Sequence, residues 1–367
     1  MRWILTCLIP YVVERVFMKL SIYILLFLWL CLIVTNPVNS EENPLFIINE
    51  GNKCGCIDKK GHIVIKPQFE VIVSSVQRKF MGDRAAIKLN NKYGYIDRTG
   101  KIVISPKYNS VNINFFTGCF KEGLECVQTG NLWGYIDKSD NFVIKPQFEE
   151  AYPFQEGLAP VKVKNKFGYI DKSGQFVIKP QFTFPYPEVH YFSEGLLPVK
   201  MGLIFTKFGY INKMGQTVIQ PQFDEASEFS EGLAAVKMKD KYGYIDKTGN
   251  IVIKPQFDYA NIFTEGLAAV AMQKKYGFID KTGQLVIRYQ FDGLGFATWG
   301  FSDGLAAVRI GDKIGFIDKI GKVIIKPQFG FTRGFTEGIA YVAFKDTKNV
   351  YKYGFIDKTG KFIWREK

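Results

Sequence analysis

The sequence predicts an all-β fold, built as an array of nine three-stranded antiparallel β-meander repeats. A Gly between two apolar residues recurs nine times, at intervals of 34 to 41 residues. A turn follows each of these glycines after a constant number of residues, and a short apolar run flanks each pair. Nine occurrences at such a period indicate a repeat architecture. The glycines are Gly55, Gly94, Gly134, Gly168, Gly209, Gly243, Gly277, Gly315 and Gly354.

The plainest unit is residues 233–257, with the sequence LAAVKMKDKYGYIDKTGNIVIKPQF. Residues 233–238 form its first predicted strand, and a bend, a second strand, a turn and a third strand follow. Asp246 can accept hydrogen bonds from the backbone of the turn and Gly249 can adopt positive φ, which is the chemistry of a tight hairpin. Pro255 removes a backbone donor and ends the third strand. The pattern therefore predicts strands and no helix.

The order of the units bears on whether the array is open or closed. We expect an open solenoid or superhelix, with a closed propeller-like ring as the alternative. The first unit begins with its own first strand, residues 45–48, and the last unit ends with its own third strand, residues 361–364. Because no unit is divided between the termini to latch a ring, the sequence favours the open array.

Residues 1–40 differ in kind from the repeats. An uncharged apolar run, residues 20–34, follows Lys19 and precedes a polar stretch, which is the layout of a secretory signal peptide. Cleavage is expected between Ser40 and Glu41, and Met18 is an alternative start. The other reading is an uncleaved membrane anchor, although a span needs about 20 apolar residues. We expect export to the periplasm, cell surface or medium, with residues 41–367 forming the repeat domain.

Charge and cysteine usage narrow the possible partners. The chain has 48 Lys and Arg against 35 Asp and Glu, a formal charge of +13. Removing residues 1–40 subtracts three basic residues and one acidic residue, which leaves 45 against 34, or +11. This excess favours anionic partners, and export excludes nucleic acid. Four cysteines remain after residue 40, too few for a disulfide framework, and Cys54 and Cys56 are interpreted as small core residues.

Three segments carry a resemblance to a known family. They are the run from Trp133 to Lys138 (WGYIDK), the I-K-P-Q-F segments such as residues 144–148, and the E-G-L-A-x-V segments such as residues 156–161. With these features the chain resembles the WG-repeat, or KWG-repeat, proteins of bacteria over residues 45–364. The resemblance implies a bacterial source and a β-repeat structure, and it brings no catalytic residues. Only Trp133 keeps the Trp for which the family is named.

No catalytic, cofactor-binding or metal-binding residue is predicted. His62 occupies an ordinary turn position, and no cluster of metal-ligand spacing stands beside it or beside His190. Glutamates such as Glu156 and Glu231 recur with the repeat, which indicates a local backbone bond rather than a catalytic carboxylate pair. The leading interpretation is an exported, non-catalytic binding scaffold. The alternatives are a carbohydrate-active or peptidoglycan-processing enzyme, and a structural spacer without a ligand.

Candidate ligand-binding residues come from two features. Two inserted connections add aromatic and His residues that other units do not have, and exposed aromatics are frequent binding anchors. Basic residues also recur in two slots, one inside the turn and one before the Pro of the third strand, and would form two lines along the array. The expected partner is a protein or an anionic cell-envelope glycan. The candidate residues are Phe184, Tyr186, His190, Phe296, Trp299, Lys145, Lys179 and Lys254.

Overall fold

The structure is a computed structural model, and it describes residues 43–71, 80, 82–111, 120–183, 191–201, 206–295 and 300–366. Nearly all of these residues lie in strands or in the turns between them. The exception among the regular elements described is one short 3-10 helix, Lys121–Gly123. The predicted all-β character is confirmed.

The strands follow the nine predicted units in chain order. Units 1 to 3 comprise β1 (Phe46–Glu50), β2 (Lys53–Ile57), β3 (Ile63–Glu70); β4 (Arg84–Leu89), β5 (Lys92–Asp97), β6 (Ile102–Tyr108); and β7 (Ser110–Val111), β8 (Glu125–Thr129), β9 (Leu132–Ile136), β10 (Phe142–Phe148). Units 4 to 6 comprise β11 (Glu150–Ala151), β12 (Ala159–Val163), β13 (Lys166–Ile170), β14 (Phe176–Phe182); β15 (Leu196–Met201), β16 (Lys207–Asn212), β17 (Thr217–Phe223); and β18 (Glu225–Ala226), β19 (Ala234–Met238), β20 (Lys241–Ile245), β21 (Ile251–Phe257). Units 7 to 9 comprise β22 (Tyr259–Thr264), β23 (Leu267–Met272), β24 (Lys275–Ile279), β25 (Leu285–Phe291); β26 (Gly293–Leu294), β27 (Phe301–Ser302), β28 (Leu305–Ile310), β29 (Lys313–Ile317), β30 (Val323–Phe329); and β31 (Phe331–Thr336), β32 (Ile339–Lys345), β33 (Tyr351–Asp357), β34 (Phe362–Arg365).

The units form eight antiparallel sheets of three to six strands. Units 1 and 2 share the six-stranded sheet, where β3 and β4 are joined through the pair Glu70 and Lys88. Each later unit has a sheet of its own. In units 3, 4, 6, 7 and 9 an extra strand, and in unit 8 two extra strands, precede the three predicted strands and pair with the first of them. The meander prediction is therefore confirmed, with these added strands.

The recurring Gly marks a close crossing of two backbones. In unit 6, Tyr242 pairs with Phe257 and Tyr244 pairs with Ile253, so the third strand bulges between these two points. A Cβ on Gly243 would lie 2.4 Å from the carbonyl oxygen of Ile253. No side chain fits there, which explains why every unit has Gly at this position.

The predicted turn chemistry is also confirmed. In unit 6, Asp246 Oδ1 accepts the backbone N–H of Thr248 at 2.9 Å and that of Asn250 at 3.0 Å. Gly249 has φ of 90°, a conformation that side chains disfavour. The same arrangement recurs around Asp97, Asp171 and Asp280.

The apolar core lies between successive units. At the joint of units 6 and 7, the ring of Phe263 packs on Tyr244 of the preceding unit with centroids 4.9 Å apart, and both side chains are buried. The first strand of unit 7 is buried on both faces at Ala268, Ala269 and Val270. Neighbouring units therefore cover both faces of this strand.

Unit 9 packs against unit 1, so the repeats close into a ring of the β-propeller type. Tyr341 and Phe355 of unit 9 share a buried cluster with Phe46 and Ile48 of unit 1. Lys59 Nζ of unit 1 lies 3.4 Å from Glu337 Oε2 of unit 9. The expectation of an open solenoid or superhelix is therefore wrong. Its premise was that a ring needs a unit divided between the termini, whereas here two intact terminal units close the ring by packing their faces.

Candidate functional site

The loops of each unit gather at two edges of its sheet, which we call the turn edge and the bend edge. In unit 7, the turn edge holds the hairpin at Glu265 and Gly266 between β22 and β23, and the turn that starts at Asp280. The bend edge holds the bend between β23 and β24 and the joint residue Asp258, which precedes β22. At both edges, carboxylates pair with lysines and accept backbone N–H groups.

At the turn edge, a carboxylate of one unit binds the next unit twice. Glu231 of unit 6 accepts the backbone N–H of Gly266 in unit 7 at 3.1 Å and lies 3.0 Å from Lys281 Nζ of the same unit. Partial burial alone would raise the pKa of Glu231, but the hydrogen bond and charge of Lys281 and the Gly266 N–H outweigh it and lower the pKa. The recurring glutamates are therefore links between units, and not the local backbone bond that the sequence suggested.

Ion pairs of this kind neutralise most of the basic residues inside the turns. Seven lysines of the turns pair with an acidic residue of the preceding unit, including one pair across the closure. The ion pairs are Lys138 with Asp83, Lys172 with Glu122, Lys213 with Glu156, Lys247 with Glu194, Lys281 with Glu231, Lys319 with Glu265 and Lys59 with Glu337.

The bend edge also pairs its charges. Asp258 accepts the backbone N–H of Gln273 at 2.7 Å and forms an ion pair with Lys241. The Lys241 ammonium, helped by the Gln273 N–H, holds the pKa of Asp258 below its usual range. Asp224 and Asp292 do the same at the neighbouring joints.

The third strands carry the other basic line, and it is exposed. Lys145, Lys179 and Lys254 are exposed, and in the part of the chain that the structure describes no ion pair joins them to a carboxylate. Each lysine shares a strand face with the residues two before and two after it. In unit 6 these are Val252, which is 45% exposed, and Gln256.

We call each such set of apolar, basic and amide residues an outer triad. From unit 3 onward the third strand is the last strand of its sheet, so the triads follow the free edges of the sheets. Units 2 and 5 have Ser105 and Gln220 in the basic slot. The triads are Val64–Lys66–Gln68, Val143–Lys145–Gln147, Val177–Lys179–Gln181, Val252–Lys254–Gln256, Val286–Arg288–Gln290 and Ile324–Lys326–Gln328.

The aromatic candidates from the inserted connections lie outside the described residues. These are Phe184, Tyr186, His190, Phe296 and Trp299. Their role as ligand contacts stays a prediction.

A different group of exposed aromatics stands on unit 9. Strands β32 and β33 pair through seven residues each, against five in unit 6, so their hairpin is longer. Val350, Tyr351 and Tyr353 on this hairpin are 52%, 53% and 42% exposed. The sequence signals the lengthened bend, but nothing in it separates these tyrosines from the aromatics that build the core of other units.

Titratable groups in the core offer little chemistry. Glu125 accepts the backbone N–H of Phe120 at 2.7 Å, and burial raises the pKa of Glu125 to about 8. Burial likewise raises the pKa of the Cys56 thiol to about 12, which keeps it unreactive at neutral pH. His62 is exposed and lies 3.1 Å from Asp58. Among the described residues, no group of three His, Cys, Asp or Glu is placed to hold a metal ion.

The described residues contain no helix that is long and apolar enough to cross a membrane. The apolar run at residues 20–34, on which the signal-peptide prediction rests, lies outside them.

A family model confirms the resemblance seen in the sequence. The model for the WG containing repeat matches eight consecutive segments, at residues 55–93, 93–133, 133–167, 167–202, 208–242, 242–276, 276–313 and 314–346. These matches cover most of the chain, and the protein belongs to the WG-repeat family. A search of curated protein sequences gave no match.

Solved structures with a similar fold are distant in sequence. A crystal structure described as the eukaryotic initiation factor is 11% identical, with a TM-score of 0.60 over 88% of this chain and 96% of that one. The dihydro-heme d1 dehydrogenase NirN is 12% identical, with a TM-score of 0.44 over 90% of this chain and 74% of that one. Hsv2 of Kluyveromyces lactis is 9% identical, with a TM-score of 0.36 over 75% and 94%. At such identities the first likeness concerns the fold alone.

Proposed function

We propose that this WG-repeat protein is an exported, non-catalytic binding ring that holds an anionic polymer of the cell envelope on its outer triads. One observation carries the proposal. Seven lysines of the turns are paired with carboxylates of neighbouring units, whereas Lys145, Lys179 and Lys254 on the third strands are exposed and, among the described residues, have no such partner. The basic residues of the outer triads are thus available to an anionic ligand.

The composition of the triads suits a polymer of charged sugars. The ammonium of Lys145 can bind a carboxylate or phosphate, the amide of Gln147 can bind a hydroxyl, and Val143 offers an apolar contact. Repetition from unit to unit matches a ligand that itself repeats, and several weak contacts on one molecule gain from avidity.

Strand addition by a protein partner is a poorer fit to the same edges. Each of these third strands carries an exposed Lys or Arg, and most carry a Pro, as Lys254 and Pro255 do in unit 6. Charged residues and Pro on an edge strand are the usual obstacles to pairing with a further strand. The side chains of the triads are therefore the more suitable binding elements.

Export is part of the proposal because it brings the ring to the polymer. Its support is the apolar run at residues 20–34 after Lys19. The N-terminal residue of the protein recovered from a producing bacterium tests it. Glu41 is expected, and a chain that keeps residues 1–40 would show an anchor instead.

The binding proposal is tested with the full chain and polygalacturonate, a linear anionic polysaccharide, with neutral dextran as the control polymer. Replacing Lys145, Lys179 and Lys254 by Gln should weaken binding about tenfold, since an exposed charge contributes roughly 0.5 kcal/mol. The matched control replaces Lys164, Lys239 and Lys274, three exposed lysines of the bends, by Gln.

Calorimetric titration at two salt concentrations completes the design. Binding should weaken with salt, because exposed charges are screened within about 8 Å at physiological ionic strength. Equal losses in both triple variants would assign the effect to net charge and overturn the triads as the site. Absence of binding to polygalacturonate would overturn the ligand class.

A further inference from the structure

We infer that the long hairpin of unit 9 is a second, local binding site, which stacks a single acidic sugar residue on Tyr351 and Tyr353. This inference rests on the proposed function for its class of ligand. It assigns that ligand a separate point of contact, in one unit only, away from the outer triads.

The two tyrosines share one face of β33 and are held in place from below. Residues two apart on a strand lie about 7 Å from each other. The ring of Tyr353 is parallel to that of the buried Tyr341, with centroids 5.5 Å apart and an interplanar angle of 3°. Tyr341 in turn packs on Phe355 in the cluster that closes the ring. The ring of Tyr353 is therefore fixed to the buried core through Tyr341.

The joint before unit 9 makes room for Tyr351. Five of the other joints have an acid, such as Asp258 or Asp292, whereas this joint has Gly330. A Cβ on Gly330 would lie 2.6 Å from Cε1 of Tyr351 and 3.1 Å from its hydroxyl oxygen. Tyr351 thus lies directly against a backbone that carries no side chain, yet it remains 53% exposed.

The residue opposite Tyr353 at the end of the third strand differs from the one opposite its equivalent in unit 6. In unit 6 the equivalent Tyr242 pairs with Phe257 at the end of the third strand. In unit 9, Glu366 stands opposite Tyr353 and donates its N–H to the Tyr353 carbonyl at 2.8 Å. Tyr353 is 42% exposed, whereas Tyr242 is half-buried.

The charges around the hairpin favour an acidic ligand. The hairpin and the end of β34 carry four basic residues, Lys345, Lys348, Lys352 and Arg365, and two acidic residues, Asp346 and Glu366. Lys345 Nζ lies 5.3 Å from the centroid of the Tyr351 ring. The carboxylate of Asp346 is tied to the turn, where it accepts the N–H groups of Lys348 and Val350. The Lys345 ammonium lies over the Tyr351 ring, where it can bind the carboxylate of a sugar held at this hairpin.

The test uses trigalacturonate, a short acidic oligosaccharide, and maltotriose, a neutral one, with the full chain in a calorimeter. Tyr351→Ala and Tyr353→Ala should each weaken trigalacturonate binding at least tenfold, and Tyr351→Phe should keep it. Gly330→Ala should also weaken binding several-fold, since the new methyl group displaces the Tyr351 ring without removing it. The matched control is Tyr259→Ala, an exposed tyrosine of unit 7 that should leave binding unchanged.

The outcomes separate this inference from the proposed function. The Lys145, Lys179 and Lys254 triple variant should bind trigalacturonate as the unchanged chain does, although it binds the long polymer less. Binding of polygalacturonate without binding of trigalacturonate would overturn the hairpin site and leave the outer triads standing. The reverse result would overturn the triads and keep the hairpin. Equal affinity for maltotriose, or for a short poly-glutamate peptide, would overturn the acidic-sugar assignment, and unchanged melting curves would show that the variants fold.

Discussion

The closure between units 9 and 1 and the ordinary joint between units 6 and 7 solve the same packing problem by different means. At the ordinary joint the chain runs on from the third strand, and Phe263 from the connection packs on Tyr244 of the preceding unit. At the closure, Phe46 of the first strand packs on Phe355 at 5.6 Å. Phe46 stands where unit 7 has Ala268, and it supplies the ring that a connecting segment supplies elsewhere.

The hydrogen bonds and ion pairs of the turn edge also differ between the ordinary joint and the closure. At the ordinary joint, Glu231 binds both the Gly266 N–H and Lys281. At the closure, Glu337 keeps the lysine, Lys59, but Pro44 stands in the position of Gly266 and has no N–H to donate. The Gly266-type backbone bond therefore has no counterpart at Pro44, and units 9 and 1 lie in separate sheets. Ring formation here needs complementary faces and not a shared sheet.

The largest effect should come from removing unit 9, with a chain that ends after Phe329. In a ring this exposes two buried clusters, on units 8 and 1, each built from several fully buried side chains worth about 2 kcal/mol apiece. We expect the shortened protein to lose its cooperative thermal transition. An open array would lose only one of its interfaces and melt a few degrees lower, so a modest shift in the melting curve would contradict the ring.

A second pair of variants compares the packing of the closure with that of another ordinary joint, between units 7 and 8. Phe355→Ala at the closure and Phe278→Ala in unit 7 remove equivalent buried rings, since both residues follow the recurring Gly. Each should cost about 3–5 kcal/mol in chemical denaturation. A much smaller cost for Phe355 than for Phe278 would show that the closure is loosely packed in solution.

The joint of units 2 and 3 departs from the ordinary joint through its buried carboxyl, Glu125, at the position that Ala159 holds in unit 4. Burial raises the pKa of Glu125 to about 8 from an ordinary value of 4.5. The unfolded chain therefore releases the proton at lower pH than the folded one, and stability should fall as pH rises from about 4.5 to about 8, by a few kcal/mol. Glu125→Gln should flatten this part of the stability profile, and a variant with an unchanged slope would show that Glu125 does not cause it.

The turns and the repeat could be predicted from the sequence because their chemistry is local. Asp246 and Gly249 lie within a few residues of the groups that they bind or free. Ring closure could not be predicted, because it depends on a small rotation between units that adds up over the whole chain. The closing contact, between Lys59 and Glu337, joins residues 278 positions apart.

The candidate site was predicted only in part, for a similar reason. The exposed lysines of the third strands follow from strand periodicity. The neutralised lysines of the turns do not, because the partner of Lys281 is Glu231 in the preceding unit. The exposure of Tyr353 does not follow from strand periodicity either, since Tyr353 and its neighbours Gly354 and Phe355 resemble the second strands of other units.

The smallest effect separates the two turn-edge links, through Glu231→Gln and Glu337→Gln. Glu231 loses a charged hydrogen bond to Gly266 as well as its ion pair, so this change should cost about 1–2 kcal/mol in urea unfolding. Glu337 loses a partly exposed ion pair whose atoms are 3.4 Å apart, and such pairs contribute about 0–1 kcal/mol.

Acid should act on Glu231 in the same direction as its replacement by Gln. Because the pKa of Glu231 is lowered in the folded protein, its contribution is present above the ordinary pKa of 4.5 and is lost as pH falls through the folded value. The difference between the unchanged protein and Glu231→Gln should therefore vanish in acid and persist at neutral pH. High salt is the control, since screening weakens an exposed ion pair more than a hydrogen bond to the backbone. Equal costs for the two variants at neutral pH would mean that the Gly266 N–H adds nothing, and that the closure is linked at its turn edge as firmly as any joint within the chain.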